Sequence, residues 1–365
     1  MTRMPVVAHF RADFARISET FIYDVVAGAR GHRPVPVFRR RIYEKLFPLP
    51  EMWIETPHDF AKPGPDIREL VGALRDFEVD VLHAHFGYDA PLAAAAALEL
   101  GKPLVVSFHG ADASSYLRNP TWPQAYREIL PRTAAIVLDY HGMADRLVDL
   151  GARRETISVI RTGIDLSFWP LRTSWAETGP VRLLSVGRLV EKKGHVLLLH
   201  ALARARRLGL DATLALVGEG NEERLLRELV KAYALDEVVT FLGVMDRAAI
   251  RDLMPAYDVF VLASHTSADG NEETTPLVLK EAMAAGLPVL STFHAGIPEV
   301  VADEVSGVLV PEGDDQALVD GISRIAAARA RWPEMGRAGR AIVDDQYNLD
   351  KTLPEWDRLY ERMSR

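Results

Sequence analysis

VRLLSVGRLVEKKGHVLLLHALARARRLGLDATLALVG, residues 181–218, carries the pattern that decides the fold. An apolar run, VRLLSVG (181–187), ends on a glycine and gives way to a cationic loop and then a helix. A second apolar run, TLALVG (213–218), closes on another glycine. Two short apolar runs joined through a helix form a βαβ unit, whose strands lie parallel because the helix carries the chain back across the sheet.

The same rhythm extends both ways. Downstream come VVTFLG (238–243), VFVLAS (259–264), PVLST (288–292) and GVLVP (307–311). Upstream lie PVVAHF (5–10), VPVF (35–38), DVLHAHF (80–86), PLVVSFH (103–109), AIVLDY (135–140) and ISVI (157–160). The expected class is α/β, with two Rossmann-like domains facing across a cleft. Phe168-Trp169-Pro170, followed by a polar stretch with Gly179-Pro180, reads as a linker. The domains are then 1–168 and 169–345, and 346–365 forms a helix returning to the first. Within it Leu353, Trp356, Leu359, Tyr360 and Met363 recur at i, i+3, i+4 spacing, so this helix needs an apolar surface to cover.

The whole chain has 365 residues, 48% hydrophobic and 26% charged, as expected of a folded protein. Single cores stop growing at roughly 250–300 residues, which also argues for two domains. The absence of cysteine excludes disulfides, thiolate nucleophiles and thiolate metal sites. The opening MTRMPVVAHFRADF lacks an apolar core of signal-peptide length, and the apolar run 90–98 is far shorter than the roughly 18 residues of a spanning helix. A cytoplasmic location is expected.

A net charge of −8 argues against a nucleic-acid partner. The acidity lies in residues 169–365, with 23 Lys/Arg against 30 Asp/Glu; residues 1–168 hold 20 against 21. Arg30, Arg33, Arg39, Arg40, Arg41 and Lys45 crowd one stretch with Phe38, Ile42, Tyr43, Leu46 and Phe47 among them. Two readings stand: a solvated face, or a patch that touches an anionic acceptor or the inner face of the membrane through Arg39, Arg40 and Arg41.

In open parallel sheets, ligands bind beyond the carboxyl ends of the strands, and the unusual polar residues fall there. His83, His85 and Gly87 follow one strand, and His109-Gly110-Ala111-Asp112 another. Gly187-Arg188 leads into Lys192-Lys193-Gly194, where a planar guanidinium fork and point-like ammoniums suit a diphosphate, although a solvated turn explains the spacing equally well. Gly218-Glu219-Gly220 is a fragment of a dinucleotide fingerprint without its third glycine, and no Walker loop occurs.

Asn271-Glu272-Glu273-Thr274-Thr275-Pro276-Leu277-Val278-Leu279-Lys280-Glu281 is the strongest constellation. With Thr275 as cap and Pro276 in the first helical position, the N–H groups near Leu277 and Val278 can receive a phosphate. Glu281 lies four residues after Leu277 on the same face, so Glu273 and Glu281 bracket a phosphate-sized site. Glu281 needs a partner in its apolar helix, and ligand hydroxyls are favoured over a structural cation. His83, His85, His141, His265 and His294 invite a zinc reading, but converging ligands at fixed spacing are lacking, so core histidines are favoured and no metal is expected.

Taken together, these residues resemble the retaining GT-B glycosyltransferases that use nucleotide-sugar donors, above all bacterial exopolysaccharide and lipopolysaccharide enzymes. The resemblance rests on Gly187-Arg188 with Lys193-Gly194, Leu216 to Gly220, Phe241-Leu242-Gly243, Glu273 and Glu281 spaced E-x7-E, Ala295 to Glu299, and Gly307 to Pro311, in that order. In the first half it rests on His83 to Gly87, Phe108 to Asp112, and Thr162 to Asp165; Ser18-Glu19-Thr20-Phe21-Ile22 looks like a colanic-acid-type subgroup.

The resemblance implies a hexosyltransferase with a UDP- or GDP-linked donor and no cofactor or metal. Its acceptor would be a glycan, a lipid-linked molecule or a small molecule. Arg188 and Lys193 would hold the diphosphate, Glu281 the ribose and Glu273 the transferred sugar, with Gly187, Glu219, Thr274, Thr275, Pro276 and Leu277 completing the donor site. His109 would approach the reacting sugar, and Ser18, Glu19, Thr20, His85, Gly87 and Asp112 would form the acceptor side. The chain departs from the family pattern at Thr274 and Ala295, where glycine is usual, and lacks the double-glycine turn after the first strand. An epimerase or phosphorylase on the same fold, or a silent sugar-nucleotide-binding protein, are the alternatives.

Overall fold

The computed structural model describes residues 3–14 and 19–365. They form two compact units, residues 1–163 with 349–365 and residues 164–348. Each is built on one parallel sheet.

The first unit's sheet has seven strands in the order Ile54–Glu55, Arg33–Phe38, Val6–Phe10, Val81–Ala84, Leu104–Phe108, Ala135–Leu138, Ile157–Val159. All six apolar runs expected in this half are strands, and Ile54–Glu55 is an added edge. Val6–Phe10, Val81–Ala84 and Leu104–Phe108 are buried throughout, which is why these runs are apolar or neutral at nearly every position instead of alternating. A small pair, Asp13–Phe14 with Arg40–Arg41, sits beside this sheet.

In the second unit six strands run in the order Val239–Gly243, Ala212–Val217, Val181–Val186, Val259–Val261, Val289–Thr292, Gly307–Val310. The register pairs Val181 with Ala212 and Leu183 with both Leu214 and Val259. The helix of the deciding βαβ unit is His195–Arg207, packed through Leu198, Leu199 and Leu202 into the core.

Strand order reverses once in each sheet. In the first unit the reversal lies between Val6–Phe10 and Val81–Ala84; in the second it lies between Val181–Val186 and Val259–Val261. Loops diverge there and leave a crevice at the carboxyl ends of the strands. Residues 11–14, 85–89, 187–194 and 262–276 are the segments that follow these four strands.

The stretch read as a linker is held to the second unit. Ile164, Leu166 and Trp169 are buried in its core, and Arg340 donates to the carbonyls of Leu166, Trp169 and Ala284. Arg172 donates from Nη2 to Asp258 Oδ1 at 3.3 Å. The second unit therefore begins at Ile164.

The last helix, Leu349–Met363, belongs to the first unit. Its Leu353, Trp356, Leu359 and Tyr360 cover Val7, Val25, Val81, Val105 and Val137. The helical stripe has its apolar surface. Trp356→Ala should lower the free energy of unfolding by about 3–5 kcal/mol, measured by urea denaturation of the full chain.

Candidate functional site

In the second unit, two loops at the strand-order reversal are joined by ion pairs. After Val186 the chain passes through a short 3₁₀ turn, Glu191–Lys193, into Gly194, whose φ of +69° introduces helix His195–Arg207. A Cβ at Gly194 would lie 1.9 Å from the Ala263 carbonyl oxygen, so this approach admits only glycine. The turn leads Lys192 and Lys193 to Glu273, whose Oε1 lies 3.2 Å from Lys192 Nζ and 3.1 Å from Lys193 Nζ. Lys192 also donates to Asn271 Oδ1 and to the Glu272 carbonyl.

All three charged groups are largely removed from water. Burial pushes the Glu273 carboxyl up, but the two ammoniums more than reverse this and hold it at about 2. Burial pulls the Lys193 ammonium below its ordinary range; Glu273 opposes that shift and Lys192 adds to it. The Glu273 backbone is fixed as well. Its N–H donates to His294 Nε2 at 3.0 Å, and His294 Nδ1 bonds to Glu312.

Glu273 leads into helix Leu277–Ala284. Pro276 is the N-cap residue and Leu277 the first helical one, one position later than expected, because Pro276 is extended at φ −54° and ψ 125°. Thr275 does not cap. Its Oγ1 accepts from Lys280 Nζ at 2.9 Å, since the wholly buried ammonium of Lys280 needs an oxygen; the same ammonium lies 4.9 Å from the Tyr347 ring centre. The N–H groups of Leu277 and Val278 have no partner among the described residues.

Glu281 differs from the expectation of a ligand hydroxyl as its partner. Its Oε1 accepts from Arg247 Nε at 3.1 Å, and the Arg247 guanidinium stacks over Phe168 and Trp169. Sequence spacing held no signal for this pair. Arg188 is exposed and its guanidinium has no partner among the described residues. Gly187 lies against the Lys193 stem, a Cβ there coming within 3.4 Å of Lys193 Cε. Glu219 is exposed, and its carbonyl accepts from Leu189 N at 2.8 Å. Thr274 is half-buried next to Glu273.

In the first unit, Asp112 ties two strand ends together. Its Oδ2 accepts from Gly87 N and its Oδ1 from His109 N, both at 2.9 Å. Burial pushes this carboxyl up to about 6, against the pull of those N–H groups. Gly87 is needed because a Cβ would lie 2.4 Å from both Phe108 and the Tyr126 hydroxyl. The His109 ring packs between Phe21 and Phe86, at centroid distances of 4.7 and 4.9 Å.

Glu19, the N-cap residue of helix Thr20–Ala27, pairs with Arg11 through both carboxylate oxygens, at 2.8 and 2.9 Å. Arg11 also donates to the buried Asp89 at 3.1 Å and lies over the Phe86 ring. Ser18 lies outside the described residues. The pairing of Arg11 with Asp89 escaped the sequence reading because 78 residues separate the two.

His85 joins a buried histidine group. His85 Nε2 lies 3.0 Å from His9 Nδ1, and His9 Nε2 lies 3.3 Å from His32 Nε2. His83 bonds to the Tyr360 hydroxyl and to Ser107 Oγ. Ring nitrogens of His9, His83 and His85 lie within 4.8 Å of one another, a spacing that could admit a metal ion. Hydrogen bonds engage both ring nitrogens of His9 and of His83, and Nε2 of His85.

Residues 168–341 match the family described as Glycosyl transferases group 1, and residues 19–168 match Glycosyltransferase Family 4. The amylovoran biosynthesis glycosyltransferase AmsK of Erwinia amylovora is 32% identical over 293 residues, 80% of this chain and 72% of AmsK. The chain belongs to the group 1 glycosyltransferases. This glycosyltransferase is also similar to WcaL of Escherichia coli K12, whose name assigns it to colanic acid biosynthesis, at 38% identity over 254 residues. That match takes in 69% of this chain but spans 62% of WcaL. HepE of Anabaena, solved with UDP-glucose, superposes with a TM-score of 0.80 at 20% identity, covering 99% of this chain and 100% of HepE. The glycosyltransferase shares that GT-B fold.

Glu273 gives the site an acid-sensitive stability. A carboxyl held at about 2, against an ordinary 4.5, stabilises the fold above the higher value and loses that contribution as pH falls toward the lower. Glu273→Gln should cost about 3 kcal/mol near pH 7 and flatten the fall in stability between those two values. Denaturant unfolding of both proteins across this pH range measures it.

Proposed function

We propose that this glycosyltransferase moves a hexose from a UDP- or GDP-linked donor to a hydroxyl of a glycan, lipid-linked or small-molecule acceptor, retaining the anomeric configuration. The observation that carries this reading is the convergence of Lys192 and Lys193 on Glu273, three residues ahead of the N-cap of helix Leu277–Ala284. Cations, open N–H groups and the positive end of a helix together suit a diphosphate. Relatives named for amylovoran and colanic acid biosynthesis, and a structural neighbour solved with UDP-glucose, support the donor and acceptor classes.

In this mechanism the diphosphate gains charge as its bond to the anomeric carbon breaks. Arg188, Lys193 and the N–H groups of Leu277 and Val278 stabilise that charge, and loss of one such donor costs roughly 3–4 kcal/mol of barrier. Lys193 turns from Glu273 toward the donor, or is shared between them. Glu273, held ionised, accepts hydrogen bonds from hydroxyls of the transferred sugar. Glu281, oriented by Arg247, does the same for the ribose. The acceptor oxygen attacks on the face that the leaving phosphate vacates, and a phosphate oxygen takes its proton. Charge and atoms balance without a protein nucleophile. His109 contacts the sugar at the reacting centre.

Proton NMR of the first-formed product tests the reading: the new linkage should carry the donor's anomeric configuration. An inverted product would refute retention, and cleavage of donor with no acceptor adduct would favour an epimerase or phosphorylase. Glu281→Ala should weaken nucleotide binding about tenfold or more, whereas His109→Ala should lower kcat with a smaller effect on donor affinity. Equal losses in both variants would overturn this division of roles.

The basic stretch of the first unit is proposed to touch an anionic membrane surface. Arg39, Arg40, Tyr43, Leu46 and Trp53 are all exposed, an arrangement of cations and large apolar side chains suited to a lipid interface. Arg40 is also tied to Asp13, and Arg41 to the carbonyls of Glu44 and Phe47. No helix among the described residues is long and apolar enough to cross a membrane. Replacing Arg39, Arg40 and Arg41 by Gln should abolish sedimentation with phosphatidylglycerol vesicles; undiminished sedimentation would remove the proposal's support.

A further inference from the structure

Four aromatic side chains of the first unit form a row that leads from His109 outward to solvent. Phe86 packs against His109 at a centroid distance of 4.9 Å and stacks on Tyr88 at 4.8 Å, with 11° between the ring planes. Tyr88 meets Tyr116 at 5.4 Å and Trp122 at 6.3 Å, while Tyr116 and Trp122 stack on each other at 5.6 Å and 22°. Exposure grows along the row. Phe86 is buried, Tyr88 and Trp122 are half-buried, and Tyr116 is 38% exposed. Phe86 and Tyr88 follow strand Val81–Ala84 directly, so the row stands at the carboxyl edge of the first unit's sheet.

The rings are held by their surroundings. The buried Arg11 guanidinium lies 4.7 Å from the Phe86 ring centre and 5.4 Å from that of Tyr88. Tyr116 rides on a short 3₁₀ turn, Ser115–Arg118, that follows Ser114, whose Oγ donates to the Gly110 carbonyl at 2.8 Å. Trp122 stands between Thr121 and Pro123 in the first turn of helix Thr121–Ile129, where the Thr121 N–H donates to Asn119 Oδ1. Its ring packs on Tyr126, which is wholly buried against Phe108. Rings fixed in this way lose little freedom when something binds to them. Their polar tips, by contrast, are unused: the hydroxyls of Tyr88 and Tyr116 and the indole N–H of Trp122 have no hydrogen-bond partner among the described residues.

We propose that Tyr88, Tyr116 and Trp122 form a shelf for a hexopyranose ring of the acceptor, a sugar unit other than the one that reacts. This rests on the glycosyl-transfer reading and narrows its acceptor to a saccharide. A pyranose presents weakly positive C–H groups on its faces and hydroxyls around its rim. The C–H groups suit the electron-rich faces of the aromatic rings, and the hydroxyls suit the unpaired phenol and indole tips. An acyl chain would satisfy the faces but leave those tips stranded, which favours a sugar over a lipid tail. Phe86 joins the shelf to His109 through two ring contacts, so a saccharide lying on the shelf extends along the edge that carries His109.

The test titrates the full chain, labelled with nitrogen-15 at its tryptophans, with maltose, cellobiose, lactose and mannobiose while the indole N–H signals are followed. Ring stacking reads the C–H face more than the pattern of hydroxyls, so common hexose disaccharides serve as probes. At least one should move the Trp122 signal saturably at millimolar concentration, that signal being identified by its loss in Trp122→Phe. The signal of Trp356, buried in the same unit, should stay in place. Tyr116→Leu should weaken the response about tenfold, with an unmoved Trp356 signal as proof of folding, and Tyr116→Phe should keep it within about threefold. No response to any of the four sugars, or one undiminished in Tyr116→Leu, would overturn the shelf. So would movement of the Trp122 signal by phosphatidylglycerol vesicles or by UDP-glucose but by none of the saccharides, which would give the surface to a lipid or to the donor. Thermal unfolding with UDP and GDP keeps two failures apart. Nucleotide binding without a saccharide response sinks the shelf alone, whereas a saccharide response without nucleotide binding counts against glycosyl transfer and leaves the saccharide site standing.

Discussion

Two ammonium groups converge on one oxygen of a buried carboxylate, and the geometry of the second unit's site depends on that contact. Lys192 and Lys193 leave one strand end, Glu273 precedes a helix after another, and neither charge could be left alone in this environment without a cost of several kcal/mol. Gly194 lets the turn approach the Ala263 carbonyl closely enough for the lysines to reach, and His294, bonded to Glu312, holds the Glu273 backbone from the other side. On the proposed reading, these cations are already oriented before a diphosphate arrives. Preorganisation of this kind is what makes a transition-state charge cheap to stabilise.

The first unit organises its strand ends by other means. Arg11 joins Glu19 to Asp89, and Asp112 takes the backbone hydrogens of both Gly87 and His109. Glu19, Gly87 and Asp112, which sequence reading placed on the acceptor side, thus have identifiable structural work: they shape the loops that present His109 and His85. Asp112 illustrates how such roles overlap, because a buried carboxylate that accepts two backbone hydrogens fixes the position of the residue next to it.

The fold was legible because its signal is local. Each of the twelve strand-like runs is a strand, and most of these strands are buried along most of their length, which demands apolar residues at successive positions. The last helix was legible from Leu353, Trp356, Leu359 and Tyr360 for the same reason. The carboxyl-end placement of Lys193, Glu273 and His109 followed from the strand pattern alone. What stayed hidden was pairing across long sequence distances. Arg247 beside Glu281, Arg11 beside Asp89, and Asp357 beside His32 are contacts that no spacing rule encodes. Thr275 was misread for a related reason: a threonine before a proline looks like a cap until the buried Lys280 claims its hydroxyl. The Phe168 to Pro180 stretch looked like a linker from its turn residues, whereas Trp169 is wholly buried.

Thermal unfolding in the presence of UDP, GDP and ADP, each in turn, tests most directly whether the lysine–glutamate cluster is a nucleotide-diphosphate site. A ligand at 100 times its dissociation constant that binds only the folded protein adds about 2.7 kcal/mol, several degrees of midpoint shift. The account predicts a selective upward shift with UDP or with GDP that is lost in Lys193→Ala, provided the variant is shown to be folded. No shift with any of the three, or one that survives Lys193→Ala undiminished, would contradict it.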